Sequence, residues 1–174
     1  MRVIFLDIDG VLNHPGTWAA GAPWRQQGNA LLRVPVEPAC VARLNRLAET
    51  AEAKIVISSS WRLYARWRDL GPALARHGLE CEVIGETPNL VNDQAWLDAW
   101  RARTGGPFLY DRLERGWEIA EWLRRREDVS SFVILDDCDD MSDLRHRLVL
   151  TDPVFGIDDP DVDRALVLFG LQPA

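Results

Sequence analysis

The sequence contains very little lysine and histidine, and this scarcity restricts the chemistry of any functional site. Lys54 is the only lysine among 20 basic residues, so a site that needs a cation must rely almost entirely on arginine. His14, His77 and His146 are the three histidines, and their separation does not match the spacing of zinc ligands. We therefore do not expect a zinc centre built on histidine.

Cysteines are few, and long apolar runs and a secretory segment are missing. Cys40, Cys81 and Cys138 lie too far apart for a disulfide framework or a CxxC metal site, and we expect buried, reduced thiols. No apolar run approaches the roughly 20 residues of a membrane-spanning helix, and the N-terminus lacks the pattern of a secretory signal. These absences predict a protein outside the membrane, with the cytoplasm as its default location.

Short apolar segments alternate with amphipathic segments, which we interpret as one domain over residues 1–174. Strand character is found in the run before Asp7 and at 54–57, 82–85, 132–135 and 148–150. Helical spacing of apolar residues recurs at 38–51, 70–77, 92–104, 113–123 and 160–169, with Asn92 as the expected cap of the third helix. The alternation predicts an α/β fold, a three-layer Rossmann-like parallel sheet. The segments 13–35 and 88–112 are candidates for small cap elements.

Two carboxylates stand at the end of the first apolar run. In an extended chain Asp7 and Asp9 point the same way, and their mutual repulsion raises the cost of ionisation unless a cation or a shared proton relieves it. Gly10 follows directly and allows a sharp turn or the close approach of a ligand. We interpret this segment as an active site, with a surface turn as the alternative that the pattern leaves open.

Polar residues follow two further predicted strands. Ser58 comes after the second strand, and Asp136 and Asp137 come after the fourth. In an open parallel sheet, ligands bind at the carboxyl ends of the strands, so we expect these groups to converge with the first carboxylate pair. Clustered carboxylates suit Mg²⁺, which prefers oxygen ligands, water and substrate phosphate. Ser58 could instead be an ordinary turn residue.

These residues resemble the motifs of the haloacid dehalogenase superfamily of phosphohydrolases. Asp7-Ile8-Asp9-Gly10-Val11 is similar to the first motif, Ser58 to the second and Asp136-Asp137 to the fourth. The third motif is a cation, usually lysine, at the start of the helix before the fourth-motif strand, and Arg115 stands there. More narrowly, 5–13, 57–62 and 133–137 resemble the small-capped branch found within multi-domain RNA-repair proteins.

The resemblance implies a two-step transfer of a phosphoryl group. Asp7 would attack phosphorus to form an aspartyl-phosphate, and Asp9 would protonate the leaving oxygen and then activate water. Mg²⁺ would be held by Asp7, the carbonyl group of Asp9 and Asp137, with Asp136 either a direct ligand or a residue behind the ligands. Asp140 is a further candidate, although a solvated helix start explains it equally well.

The same resemblance assigns the residues that would bind phosphate. The hydroxyl of Ser58, the amide of Ser59 and the charge of Arg115 would hold its oxygens. Arg115 could instead pair with Glu114 or Glu118 on a helix face, and Arg112 is its closest rival. Arg62 could bind substrate or cap the packing between helices.

The implied activity is Mg²⁺-dependent phosphomonoester hydrolysis, and the second acid, Asp9, disfavours dehalogenation. A small cap admits a bulky phosphorylated substrate such as a nucleic-acid end, which is the favoured substrate class. A phosphatase for nucleotides or small metabolites, a phosphomutase and a non-catalytic phosphate-binding domain are the alternatives. The net charge of −7 argues against nonspecific nucleic-acid binding by the whole surface but not by a local arginine-rich groove. Trp18 and Trp24 could stack on a base or close a hydrophobic lid.

Overall fold

A single parallel sheet forms the centre of the protein. The structure, a computed structural model, describes residues 1–19, 35–106, 108 and 113–173. The strand order is β3-β2-β1-β4-β5, and the strands are β1 (Arg2–Leu6), β2 (Ala53–Ile57), β3 (Val83–Glu86), β4 (Ser131–Asp136) and β5 (Leu148–Leu150). The predicted five-strand parallel sheet is confirmed.

The central strand fixes the level at which its neighbours end. Strand β1 pairs with β2 and β4 along its whole length, with Leu6 opposite both Ile57 and Leu135. Positions 7, 58 and 136, which directly follow these residues, therefore lie at the same level at the carboxyl ends of the three strands. This register brings together the three sequence motifs that the strand pattern placed at strand ends.

Helices cover both faces of the sheet, which makes three layers. The helices are α1 (Pro15–Ala19), α2 (Pro38–Ala51), α3 (Trp67–Ala75), α4 (Gln94–Thr104), α5 (Arg115–Arg124) and α6 (Asp159–Leu168). Because successive strand residues point to opposite faces, Ile4 and Leu6 pack with the buried residues of α2, α3 and α6. Val3 and Phe5 pack on the other face with Ile119 of α5. The α/β Rossmann-like prediction is thus confirmed.

Several helix starts differ from the sequence prediction: α3 begins at Trp67 and α6 at Asp159, and α4 and α5 differ as well. The carboxylate of Asp93 accepts a hydrogen bond from the amide of Trp96 at 3.0 Å and caps α4, whereas Asn92 ends a preceding 3₁₀ turn. Both residue types cap helices well, so spacing alone did not separate them. Helix α5 begins at Arg115 rather than at Leu113.

The predicted cap elements are described only in part. Of 13–35, the described part contains the short helix α1, and Trp24 lies outside the described residues, as does Arg112 of the second segment. The segment 88–112 supplies helix α4, whose rings of Trp96 and Trp100 pack against Trp117 of α5. A capping role for either segment stays a prediction.

The cysteines occupy three different environments. Cys40 is a buried residue of α2, Cys81 is half-buried and Cys138 is exposed, and all three are free thiols. The prediction of buried thiols is therefore wrong for Cys138, because the chain has already left β4 at that position. Among the described residues, no helix combines the length and the apolar character needed to cross a membrane.

Candidate active site

Asp7 and Asp9 stand on the turn that follows the central strand. The amide of Asp7 donates to the carbonyl oxygen of Leu135 at 3.0 Å, so this residue extends the pairing of β1 with β4. Its side chain is buried. The carboxylate of Asp9 accepts hydrogen bonds from Asn13 Nδ2 at 2.8 Å and Trp61 Nε1 at 3.0 Å. The position of Asp7 is therefore fixed by the sheet, and the Asp9 carboxylate is oriented by two neutral donors.

A glycine is required where the first turn meets the fourth motif. Gly10 has φ +70°, and a Cβ atom built on it would lie 2.5 Å from Cγ of Asp137. Thr151, the residue after β5, donates its hydroxyl to the carbonyl oxygen of Gly10 at 2.8 Å and its amide to that of Asp136 at 2.9 Å. The turn that carries Asp7 and the end of β4 are therefore in direct contact.

The guanidinium of Arg115 lies among the three motifs. Its Nε is 3.1 Å from Asp136 Oδ2 and its Nη1 is 3.5 Å from Asp7 Oδ1. Nη1 also donates a hydrogen bond to the carbonyl oxygen of Ser58. The alternative of a pair on the helix face does not describe its main contacts, since Glu118 pairs with Arg62. The first residue of α5 thus brings a positive charge to the ends of β1, β2 and β4.

Burial makes the carboxyl groups of Asp7 and Asp136 weaker acids. Burial raises the pKa of Asp7, and the charge of Asp9 adds to this, while Arg115 and a hydrogen bond from the Ser59 side chain oppose it. Burial also raises the pKa of Asp136 to about 8, against the opposing charge of Arg115 and with a further increase from Asp7. Burial disfavours the charged form of Arg115, yet its acidic neighbours hold its pKa above the ordinary value. The charge of Arg115 therefore does not fully offset the effect of burial on the two carboxyl groups.

The two serines after β2 have different surroundings. The amide of Ser58 continues the sheet by donating to the carbonyl oxygen of Leu6 at 2.8 Å. Its hydroxyl oxygen is buried without a hydrogen-bond partner among the described residues. Ser59 is buried too, and its hydroxyl oxygen accepts from the amide of Trp61 at 3.3 Å. Ser58 therefore has an unused polar atom at the site.

The acidic run after β4 divides into two groups. Ligand atoms of Asp136, Asp137 and Cys138 lie within 4.8 Å of one another. Asp140 is exposed, and its carboxylate accepts the amide of Arg115 at 3.2 Å, so it contacts the first turn of α5. A carboxylate at this end of a helix is favourable because the helix dipole is positive there. A catalytic role for Asp140 stays a prediction.

Comparison with known proteins identifies the family. Residues 3–162 match the model of the HAD domain in Swiss Army Knife RNA repair proteins. The chain belongs to this family. No curated protein and no solved structure matches the sequence significantly. HAD denotes haloacid dehalogenase, so the match confirms the resemblance of the sequence motifs. A phosphatase of the HAD type is the general activity that this membership supports, and the superfamily generally depends on Mg²⁺.

The oxygens of this HAD domain fit a divalent cation and a phosphate group. Asp7 Oδ1 and Asp136 Oδ2, like the Ser58 hydroxyl, are buried oxygens without a hydrogen-bond partner among the described residues. Within the described part of the chain, the two carboxylate oxygens form ion pairs with Arg115 alone. A buried oxygen without a hydrogen-bond partner destabilises the folded protein unless a bound ligand supplies the missing contact. The donor set is rich in carboxylates, which is the preference of Mg²⁺.

Arg62 forms a buried ion pair within the HAD domain. Its guanidinium pairs with Glu118 of α5 and donates to the carbonyl oxygen of Ser59 at 2.7 Å. The side chains of Arg62 and Glu118 are only 8% and 5% exposed. Glu118 also accepts the amide of Leu90 at 3.4 Å. These contacts are those of a residue that supports the Ser58-Ser59 turn, and a direct contact with substrate stays a prediction.

Sequence reasoning missed four residues that contact the motif residues or the turns that carry them. They are Asn13, Trp61, Glu118 and Thr151. Thr151 follows β5 directly, so the strand-end rule that selected Ser58 could have selected it as well. Glu118 and Trp61 gave no separable signal, because a charged helix residue and a tryptophan near a turn are common without a role in a site.

Proposed function

We propose that this HAD domain hydrolyses phosphomonoesters with Mg²⁺ through an aspartyl-phosphate on Asp7. The observation that carries the proposal is the set of buried oxygens that accept no hydrogen bond from the described residues, Asp7 Oδ1, Ser58 Oγ and Asp136 Oδ2. They belong to residues that lie at one level at the carboxyl ends of three adjacent strands, and Arg115 contacts all three of those residues. A purely structural acidic cluster has no need for a serine hydroxyl and a buried arginine at the same point.

The two acids of the first motif would divide the work. Asp7 attacks phosphorus, and the positive charge of Arg115 at 3.5 Å favours the ionised form that the attack requires. Asp9 donates a proton to the leaving oxygen and later takes one from the water that hydrolyses the acyl phosphate. The hydrogen bonds from Asn13 and Trp61 hold Asp9 in one orientation, which keeps its carboxyl group directed during both steps.

The remaining motif residues would bind the cation and the phosphate group. Asp7, the carbonyl oxygen of Asp9 and Asp137 would hold Mg²⁺, with Asp136 as a ligand or directly behind one. The ion would offset the repulsion between the anionic nucleophile and the anionic phosphate. The Ser58 hydroxyl and the Ser59 amide would donate hydrogen bonds to phosphate oxygens.

A phosphate at the end of a nucleic acid is the substrate that we propose. The family description refers to RNA repair, which supports a terminal phosphate on a polynucleotide. Four large apolar side chains are exposed after strands whose carboxyl ends face the site. Leu63 and Tyr64 follow β2, and Val154 and Phe155 follow β5. Such residues suit contact with a substrate larger than a free metabolite. Nucleotides and small phosphorylated metabolites are the alternative substrates.

The test of the activity uses an aryl phosphate, which needs no recognition beyond the phosphate group. We expect hydrolysis by the wild type that requires Mg²⁺ and is lost in Asp7→Asn. Asp163→Asn, which changes an exposed acid on α6, is the matched control and should leave the rate unchanged. Full activity of Asp7→Asn would refute the assignment of the nucleophile.

The test of the substrate class compares phosphate release from oligonucleotide ends and from mononucleotides. We expect a higher kcat/KM for the oligonucleotide ends, because a longer ligand has more surface to contact the protein. A clear preference for mononucleotides would refute the nucleic-acid proposal and leave the chemistry intact.

A further inference from the structure

A second cleft lies between α4 and α5, on a side of α5 that the catalytic site does not use. Its volume is about 540 Å³, and its walls include the indole rings of Trp96, Trp100 and Trp117. Trp96 and Trp100 are stacked with their ring centroids 5.5 Å apart, and Trp100 lies 5.1 Å from Trp117. All three tryptophans remain partly exposed. We call this feature the tryptophan cleft.

The charges around the tryptophan cleft favour an anionic ligand. The guanidinium of Arg103 lies over the Trp100 ring, 5.0 Å from its centroid, and no ion pair involves Arg103 among the residues that the structure describes. Glu121, an acid of the lining, is already occupied by Arg124 and Arg125 at 2.8 and 2.7 Å. The lining's second acid, Asp143, is exposed to solvent. An unpaired cation beside aromatic faces suits a ligand that is both aromatic and anionic.

The tryptophan cleft begins next to the catalytic site. Asp93, before α4, pairs with Arg125, after α5, at 3.0 Å, so the two helices run antiparallel. The end of α4 that carries Arg103 therefore lies toward the start of α5. There Gly116, a residue of the cleft, directly follows Arg115 of the catalytic site. From Gly116 to Arg124 the helix is about 12 Å long at 1.5 Å per residue.

We propose that the tryptophan cleft binds bases of a single-stranded nucleic acid whose terminal phosphate occupies the catalytic site. This inference rests on the proposed phosphatase function and names how its substrate is held. A base stacks on Trp100 or Trp117, and Arg103 neutralises a phosphate of the strand. Stacking on indole faces accepts every base, so the cleft binds without strong sequence preference. A peptide ligand would not need the unpaired arginine at the mouth of an aromatic cleft.

The binding test measures the fluorescence anisotropy of a labelled single-stranded RNA octamer with a terminal phosphate. We expect Trp100→Ala to weaken binding by about tenfold, the loss expected for one stacked base. Arg103→Ala should weaken it as well and reduce the slope of log K against log salt by about 0.7, the value for one single-strand phosphate contact. Arg68→Ala is the matched control, because Arg68 is exposed and lies over the ring of Trp67, 4.5 Å from its centroid, outside the cleft.

The outcomes separate this inference from the phosphatase proposal. Both cleft variants should hydrolyse an aryl phosphate at the wild-type rate, since neither residue touches the catalytic groups. Wild-type affinity for RNA in both variants, or an equal loss in Arg68→Ala, would overturn the inference even if the phosphatase is active. Arg103→Ala changes an exposed side chain and should leave the fold intact. A loss of RNA affinity in this variant would therefore not result from misfolding. If the wild type hydrolyses no aryl phosphate but binds RNA through the cleft, only the phosphatase proposal fails.

Discussion

The Nε atom of Arg115 lies 3.1 Å from a carboxylate oxygen of Asp136. This contact joins the first turn of α5 to the end of β4, although the two residues are separated by a whole helix and strand in the chain. The same guanidinium reaches Asp7 and the carbonyl oxygen of Ser58. A lysine has one point charge and cannot present several directed donors in a plane, so the arginine has a geometric role as well as a charge.

Replacing Arg115 should separate these two contributions. Arg115→Met removes the charge and the donors, and we expect kcat/KM for an aryl phosphate to fall by about 10²–10³, the cost of losing an important electrostatic group. Arg115→Lys keeps the charge and should retain an intermediate rate. Steady-state kinetics check this, with Arg145→Lys as control, because Arg145 forms an exposed pair with Asp139. An unchanged rate in Arg115→Met would refute a role of Arg115 in binding the phosphate group.

Gly10→Ala should damage the site by steric conflict with Asp137. The new Cβ would lie 2.5 Å from Cγ of Asp137 at φ +70°. Gly105 offers a matched control, because its φ is +71° but a Cβ there meets no atom within 4 Å. We expect Gly105→Ala to cost only about 1 kcal/mol of backbone strain. Gly10→Ala should destabilise the protein more and also lower its activity, as urea unfolding and kinetics would show. Equal stability and full activity of the two variants would contradict the contact.

The buried pair of Arg62 and Glu118 should be sensitive to the loss of one partner. Arg62→Met leaves Glu118 buried without its counter-ion, and we expect the free energy of unfolding to fall by about 3 kcal/mol. The double variant Arg62→Met/Glu118→Gln should recover part of that loss. Urea unfolding of the wild type, both single variants and the double variant checks this. A double variant that is as unstable as the sum of both single losses would argue against a coupled pair.

The loss in Arg62→Met should also depend on pH. Burial raises the pKa of Glu118, and the charge of Arg62 opposes that rise. Without Arg62 the folded-state pKa lies still further above the unfolded-state value. A carboxyl group with a raised pKa destabilises the folded state as pH rises from the unfolded-state value through the folded-state value. The unfolding free energy of Arg62→Met should therefore be closer to that of the wild type at pH 5 than at pH 8. A smaller difference between the two unfolding free energies at pH 8 than at pH 5 would contradict the raised pKa of Glu118.

Mg²⁺ should stabilise the protein through the acids after β4. Binding to the folded state alone raises the unfolding free energy by about 2.7 kcal/mol at a concentration of 100 Kd. We expect a higher Tm with added Mg²⁺ in the wild type, reversed by a chelator and lost in Asp137→Asn. Asp139→Asn is the control, because Asp139 lies on the same acidic run but is exposed and pairs with Arg145. A Tm shift that survives Asp137→Asn would place the ion elsewhere.

The strand pattern predicted the sheet and the level of its polar strand ends, because buried parallel strands appear as short apolar runs and their ends are adjacent. Arg115 required the family resemblance, since its helix position alone allowed a pair with Glu118. The Arg62–Glu118 pair was not predicted, because it joins a turn to a helix that lies far along the chain. Such contacts depend on tertiary packing, which local periodicity does not encode. The sequence pattern likewise did not decide whether Asn92 or Asp93 caps α4.

The bond from the Asp7 amide to the Leu135 carbonyl oxygen extends the pairing of the central strand, β1, to Asp7. Strand β1 has a hydrogen-bonded neighbour on each side, and its side chains are buried on both faces. The amide of Asp7 should therefore exchange its hydrogen with solvent only when the whole domain opens. We do not expect a folded population in which Asp7 alone has lost its hydrogen bond to the sheet. Loss of the geometry around Asp7 and loss of the fold should therefore be one cooperative event.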